Sequence, residues 1–246
     1  MKWYRHIPNS LTLLNLLFGS FAIVLALSGE LLVSSYFLMI AFHCDIFDGF
    51  AARLLKVTSP LGKELDSLAD VVSFGLAPAV ILYVLLLNKL GLQGFSFGLP
   101  FHQILMLLFP FLLPLAGALR LARFNIDQSQ QGSFSGLPTP ANALMALSIP
   151  VILDRQPGSF LAIAFDLPMF YVIYAITISA LMLIPVRIYS LKPKNLSFSD
   201  NKIRIAFLLS AILILVLTRY TGLFLLVLLY YAFGAVAEGL SSRERA

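Results

Sequence analysis

The sequence predicts an all-α, polytopic membrane protein with about eight transmembrane helices, and three observations support this prediction. Apolar residues fill 59% of the 246 positions, charged residues fill 12%, and the mean hydropathy is +0.91. The apolar residues are gathered in long runs, most of them near the roughly 20 residues that cross a bilayer as a helix. These runs lack the alternation of a transmembrane barrel, so helices are the remaining way to pair their backbone polar groups in lipid.

Eight apolar runs give the predicted helices in chain order. The first follows an aromatic and basic start, Trp3 to Arg5, that is typical of an interfacial anchor. It is longer than the apolar part of a secretory signal peptide and is interrupted by Asn15, so we interpret it as a membrane helix. The fifth run is shorter than the others. The polar stretches between runs are short enough to be loops, so we expect a single membrane domain; these stretches are 54–63, 125–139 and 191–202. The runs are 11–28, 31–49, 66–88, 101–122, 140–153, 160–184, 203–217 and 223–237.

The basic residues predict the orientation in the membrane. With a cytoplasmic N-terminus and eight helices, fourteen of the seventeen Lys and Arg residues lie on the cytoplasmic side, and Lys89, Arg155 and Arg219 lie outside. The three polar loops and both termini are then cytoplasmic. The same basic face beside anionic headgroups accounts for the net charge of +5 without nucleic acid as a partner.

The run DIFDGFAARLLKVTSPLGKELDSLAD, residues 45–70, holds five of the twelve acidic residues. Spacings of three and four residues place Asp45 and Asp48 on one helix face and Asp66 and Asp70 on a face of the next helix. An Asp that faces lipid costs about 2.5 to 3.5 kcal/mol, so the two acidic faces should meet across a wet cavity. Carboxylate oxygens suit Mg²⁺ or Mn²⁺, which also bind phosphates. The run therefore predicts metal-assisted phosphoryl or phosphodiester transfer.

Small residues share these acidic faces. Gly49 and Ala52 lie on the face of Asp48, and Gly62 lies on the face of Asp66, where we expect it to precede the regular part of the helix. Small side chains would let a flat base or a diphosphate approach the backbone closely. The alternative is close packing between helices, which the spacing alone favours.

Eight positions of this run reproduce the signature D-x-x-D-G-x-x-A-R-x8-G-x-x-x-D-x-x-x-D, so the chain resembles the CDP-alcohol phosphatidyltransferases. Three further stretches are similar to the membrane-embedded phosphatidylserine synthases of that family: IPNSLTLLNLLFG, DSLADVVSFGLAPA, and RLARFN followed by FSGLPTPANA. The resemblance implies that CDP-diacylglycerol reacts with L-serine to give phosphatidylserine and CMP. It also implies a six-helix catalytic core in residues 1–190, two additional helices in 191–246, a homodimer, and an active site on the cytoplasmic side of the inner membrane.

The resemblance also implies a role for each position of the motif. Asp70 would be the general base and would touch a metal as well. Two ions of Mg²⁺ or Mn²⁺ would be ligated by Asp45, Asp48 and Asp66. The CDP-diacylglycerol site would be formed by Gly49, Ala52 and Gly62 against the cytidine, Arg53 near the phosphates, and Asn15 as a diphosphate contact.

Arg120 and Arg123 end the fourth predicted helix on the side where the acidic faces open, and three residues apart they share a face. One interpretation is a positive-inside anchor, and the other is an anion site for serine or a phosphate.

Two other functions stay open at this point. A sibling transferase would use glycerol 3-phosphate, inositol phosphate or a different lipid donor. A divalent-cation transporter would need acids near mid-membrane on several helices, whereas the only acid within the later runs is Asp166, near the start of the run 160–184, and Glu238 directly follows the last run.

Overall fold

The computed structural model describes residues 6–57, 59–126, 134–184, 187–188 and 202–243. A π-helical segment, Val71–Leu76, joins α3 to α4, and a 3₁₀ segment, Phe109–Phe111, joins α5 to α6. Two short strands, β1 (Phe134–Ser135) and β2 (Arg187–Ile188), pair antiparallel. The α-helices of the described residues are α1 (Ile7–Leu27), α2 (Leu31–Leu55), α3 (Pro60–Asp70), α4 (Ala77–Lys89), α5 (Phe101–Leu108), α6 (Leu112–Ile126), α7 (Thr139–Arg155), α8 (Phe160–Phe165), α9 (Pro168–Leu183), α10 (Lys202–Thr218) and α11 (Thr221–Arg243).

Four helical stretches are long and apolar enough to cross a membrane, and they confirm the all-α, polytopic class. They are Ile7–Leu27, Leu31–Leu55, Pro60–Lys89 and Phe101–Ile126. Shorter apolar helices follow at Pro168–Leu183, Ile205–Thr218 and Thr221–Gly234. The count of eight spans stays a prediction, because α7 and these shorter helices fall below the length of a full span.

The structure differs from the predicted helices at several places. The loop predicted at 54–63 is shorter, because α2 ends at Leu55 and α3 begins at Pro60. The run expected at 160–184 is divided, because α8 ends at Phe165 and α9 begins at Pro168. Proline lacks the N–H that a continuing helix needs but suits the first turn of a new one. Gly62 lies inside α3 rather than before it: the helix begins at Pro60, and the side chain of Ser59 accepts a 3.0 Å hydrogen bond from the Gly62 N–H. Residues 127–133 of the predicted loop 125–139 and residues 191–201 of the predicted loop 191–202 lie outside the described residues.

The helices pack around α4, of which nearly every residue from Ala77 to Leu87 is buried. α1 and α2 form an antiparallel pair joined by a tight turn, and α7 packs against α2, α4 and α11. The outward faces of the bundle stay apolar, with large exposed side chains such as Val24 and Leu217. Such a surface suits lipid rather than water.

The π-helical segment begins directly after Asp70 and is held by close backbone contacts. A Cβ on Gly19 of α1 would lie 2.1 Å from the Ser73 hydroxyl oxygen and 2.8 Å from the Ser73 Cα. A Cβ on Gly75 would lie 3.0 Å from the Cα of Pro114 on α6. Glycine at both positions therefore lets α1 and α6 approach the segment that follows Asp70.

α7 and α9 satisfy a backbone group of the same segment. The Asn142 amide nitrogen donates a 2.9 Å hydrogen bond to the Phe74 carbonyl oxygen. The Tyr174 hydroxyl in turn donates to the Asn142 side-chain oxygen over 3.0 Å. Buried carbonyl groups need such partners, and side chains supply one at this turn.

Candidate active site

Three aspartates from two helices meet at one end of the bundle. Asp45 and Asp48 lie in the last turns of α2, and Asp66 lies in α3. One carboxylate oxygen of each lies within 4.8 Å of the corresponding oxygens of the other two. Asp70, one turn beyond Asp66, is 8% exposed and lies close enough to Asp45 for the two carboxyl groups to interact electrostatically. The structure thus brings together all four acids of the motif.

The donor set of this cluster fits a divalent cation. Its ligand atoms are all carboxylate oxygens, which hard cations such as Mg²⁺ and Mn²⁺ prefer. One oxygen of Asp66 and one of Asp70 are buried and have no hydrogen-bond partner among the described residues. The ion pairs found in that part of the chain, Lys89 with Asp166 and Arg155 with Asp154, do not include these acids. Buried carboxylates normally need a hydrogen bond or an opposite charge, and a metal ion would supply the latter.

Thr12 of α1 supports the cluster from outside it. Its hydroxyl donates a 2.6 Å hydrogen bond to one oxygen of Asp48, and both residues are buried. Sequence reasoning missed Thr12, although a hydroxyl inside an apolar helix, three residues before Asn15, was a visible signal. The bond orients the Asp48 carboxylate and leaves its second oxygen for another partner.

A cavity of about 230 Å³ opens beside these acids between α1, α2 and α3. Three small residues of the motif line it together with two of its aspartates. Gly62 lies close to Asn9 of α1, since a Cβ on Gly62 would lie 3.0 Å from the side-chain oxygen of Asn9. The lining residues are Pro8, Asn9, Thr12, Asp48, Gly49, Ala52, Val57, Ser59, Gly62, Lys63 and Asp66.

Arg53 and Asn15, both predicted for the nucleotide site, are placed differently from one another, and a cation that was not predicted there, Lys63, lines the cavity. Arg53 is exposed at the edge of the cavity, where its Nη1 lies 3.8 Å from a Cβ built on Gly49. Lys63 lines the cavity itself and donates a 3.2 Å hydrogen bond to the backbone oxygen of Asn125. Asn15 is fully buried and does not line the cavity, and its amide atoms have no hydrogen-bond partner in the described part of the chain.

α6 and α7 complete the surroundings of Asp70. The Thr139 hydroxyl, at the start of α7, donates a 3.4 Å hydrogen bond to one oxygen of Asp70. Gly117 of α6 packs against Thr139, since its Cβ would lie 3.3 Å from the Thr139 methyl group. Arg120 lies one turn further along the same face and interacts electrostatically with Asp70, whereas Arg123 is exposed. Of the two predicted arginines, only Arg120 is partly buried, and it forms no ion pair with the acids among the described residues.

Comparison with known proteins agrees with this arrangement. Residues 5–170 match the model of the CDP-alcohol phosphatidyltransferase family. A CDP-diacylglycerol–serine O-phosphatidyltransferase of Bacillus subtilis is 38% identical over 136 residues, which are 55% of this chain and 70% of that protein. One of Helicobacter pylori is 35% identical over 151 residues, 61% of this chain and 58% of that protein. An archaetidylserine synthase of Methanothermobacter thermautotrophicus is 35% identical over 140 residues, 56% of this chain and 54% of that protein. The matched family model covers well over half of the chain, and the chain therefore belongs to the CDP-alcohol phosphatidyltransferase family.

Proposed function

We propose that the protein transfers the phosphatidyl group of CDP-diacylglycerol to L-serine and releases phosphatidylserine and CMP. The observation that carries this proposal is the cluster of Asp45, Asp48 and Asp66 beside an open cavity, in a chain whose relatives include serine O-phosphatidyltransferases. The protein is then a membrane-bound transferase of phospholipid biosynthesis. A sibling transferase with glycerol 3-phosphate or inositol phosphate as acceptor is the alternative, and family membership argues against the cation transporter.

The four aspartates are proposed to hold the metal. Asp45, Asp48 and Asp66 would be the ligands of Mg²⁺ or Mn²⁺, with Asp70 at the edge of the cluster, and the resemblance implies two ions. When bound, the cations supply positive charge that stabilises the phosphates as CMP leaves. The Thr12 hydroxyl keeps Asp48 oriented for this role.

The cavity beside the cluster is the proposed site of the nucleotide. Gly49, Ala52 and Gly62 give it a wall without bulky side chains, against which the cytidine would lie. Lys63 lines the cavity and Arg53 lies at the edge of the cavity, so both are candidate partners of the diphosphate. The nucleotide would then place its phosphates between these cations and the acids.

Asp70 is the proposed general base. A serine hydroxyl is a weak nucleophile at neutral pH, so a carboxylate must accept its proton as the oxygen attacks phosphorus. One Asp70 oxygen accepts a hydrogen bond from Thr139, and the other is buried without a partner among the described residues. In a direct displacement, the bond from the serine oxygen to phosphorus forms, the bond from phosphorus to the CMP oxygen breaks, and Asp70 takes the proton.

Arg120 is the proposed partner of the serine carboxylate. It is partly buried near Asp70, whereas Arg123 is exposed. A charge-assisted contact is worth about 1.5 to 3 kcal/mol, so we expect Arg120→Lys to raise the serine KM roughly 10- to 150-fold. Arg123→Lys is the matched control and should leave this KM unchanged. A rise in the KM of CDP-diacylglycerol instead would make Arg120 a phosphate contact.

The experiment that tests the function is a comparison of acceptors. The purified protein is incubated with CDP-diacylglycerol, a divalent cation and L-serine, glycerol 3-phosphate or inositol phosphate, and the lipid product is identified by mass. Phosphatidylserine should be the main product. Preferential formation of a different phospholipid would refute serine as the acceptor while leaving the family's chemistry in place.

Three further features complete the proposal. The bias of Lys and Arg supports an active site on the cytoplasmic side of the inner membrane. The resemblance supports a homodimer. It also supports a catalytic core within residues 1–190, to which α10 and α11 are added.

A further inference from the structure

The last turn of α6 contacts α3 beside the cavity proposed for the nucleotide. Lys63, which lines this cavity, donates a 3.2 Å hydrogen bond from its ammonium to the backbone oxygen of Asn125. The same ammonium lies 5.8 Å from the centre of the Phe124 ring. α6 ends at Ile126, and the last carbonyls of a helix carry partial negative charge without a partner inside the helix, so they favour a cation. The end of α6 therefore holds the Lys63 side chain.

The Asn125 side chain fixes the same contact between the two helices. Its amide nitrogen donates a 2.9 Å hydrogen bond to the Ser67 hydroxyl oxygen, and that hydroxyl donates to the Lys63 backbone oxygen over 3.2 Å. Because the Ser67 hydrogen is used in the second bond, its oxygen is the acceptor of the first, and the two bonds agree in direction. Asn125 thus bonds α3 at two positions one turn apart.

We propose that Asn125 is a positioning residue of the nucleotide site: through its carbonyl and its bond to Ser67 it holds the Lys63 ammonium at the cavity, where the ammonium meets a phosphate of CDP-diacylglycerol. This inference rests on the proposed function, in which the cavity takes the nucleotide. A Lys ammonium has three donors, so the bond to Asn125 leaves two for phosphate oxygens. A long Lys side chain that is already held loses less conformational freedom when the ligand binds.

The test measures the binding of CDP, which carries both phosphates, by calorimetric titration with Mg²⁺ or Mn²⁺ and without an acceptor. Lys63→Met removes the charge and should weaken CDP binding roughly 10- to 150-fold, as expected for a hydrogen bond to a charged group. Ser67→Ala and Asn125→Ala each remove the bond between the α6 amide and α3 and should weaken CDP binding about 3- to 10-fold. Ser67→Thr keeps the hydroxyl and is the matched control, which should bind CDP as the wild type does.

Kinetics separate positioning from a general loss of structure. In Ser67→Ala the KM of CDP-diacylglycerol should rise by the same factor, about 3- to 10-fold, while kcat and the KM of the acceptor stay within about twofold. Because Ser67 acts through Lys63, adding Ser67→Ala to Lys63→Met should change CDP affinity by less than about twofold. Thermal unfolding in detergent shows whether each variant keeps the stability of the wild type.

Equal CDP affinity in Ser67→Ala and Ser67→Thr, or additive effects of Ser67→Ala and Lys63→Met, would overturn the inference. Wild-type CDP affinity in Lys63→Met would remove Lys63 from the nucleotide site and overturn the inference with it. A wild-type protein that does not bind CDP would refute the nucleotide site itself. Because CDP binding needs no acceptor, a preference for an acceptor other than serine would refute the serine assignment alone.

Discussion

Thr12 offers the sharpest test of the proposed metal site. Its hydroxyl donates a 2.6 Å hydrogen bond to Asp48, and the two residues are 3% and 6% exposed. Thr12→Val keeps the branched shape and removes the donor, so Asp48 loses a charge-assisted bond worth about 1.5 to 3 kcal/mol. Removal of such an outer-shell bond typically lowers metal affinity about 10- to 100-fold. We expect the metal concentration for half-maximal activity to rise by about that factor.

The assay removes bound metal with a chelator and then titrates Mg²⁺ or Mn²⁺ while CMP release is followed at saturating substrates. Thr12→Ser keeps the donor and should stay close to wild type. Ser20→Ala is a second control, because that exposed hydroxyl on the same helix bonds its own backbone at Leu16. If Thr12→Val and Thr12→Ser show the same metal dependence, Asp48 is not a ligand that Thr12 supports.

Three more outcomes are expected from the structure. Asp70→Asn should bind CDP-diacylglycerol normally but lose most of its turnover, because no base accepts the serine proton; near wild-type kcat would exclude this role. Gly19→Ala should destabilise the protein by about 1 to 3 kcal/mol, because its Cβ would lie 2.1 Å from a hydroxyl oxygen of the π-helical segment. Gly94→Ala, which meets no atom within 4 Å, is the control in the same thermal unfolding measurement. In a background without the single native cysteine, a cysteine at Phe97 should react with an impermeant reagent in intact cells and one at Leu61 should not, and the reverse pattern would invert the orientation.

The spacing of the acids was enough to predict their meeting. Asp45 and Asp48 share a helix face by geometry alone, and the cost of exposing acids to lipid predicts a cavity beside them, which Asp48 and Asp66 line. Gly62 shows how the start of a helix is misjudged: the pair Ser59 and Pro60 carries an N-cap and a first-turn proline, and these outweigh the low helix propensity of a glycine two residues later.

The residues that support the site could not be predicted from the spacing of residues in the sequence. Thr12 reaches Asp48 across 36 residues of sequence, and Thr139 reaches Asp70 across 69. Such pairs depend on how whole helices pack, and no local pattern contains that information. The π-helical segment was hidden for a related reason, because its apolar residues read as an uninterrupted helix.

The π-helical segment explains how one continuous helix serves both the cavity and the core. α3 carries Asp66 in the lining of the cavity, and α4 beyond the segment is buried on nearly every side. A π-turn holds an extra residue, so it rotates the helix after the turn relative to the helix before it, and such turns are frequent at functional sites. α7 fixes this turn through the bond from Asn142 to the Phe74 carbonyl, and the same helix begins at Thr139, which donates to Asp70. Because one helix holds both the turn and the proposed base, a shift of α7 would move the two together, and the distance from Asp70 to the acceptor depends on α7 as much as on the helix that carries the motif.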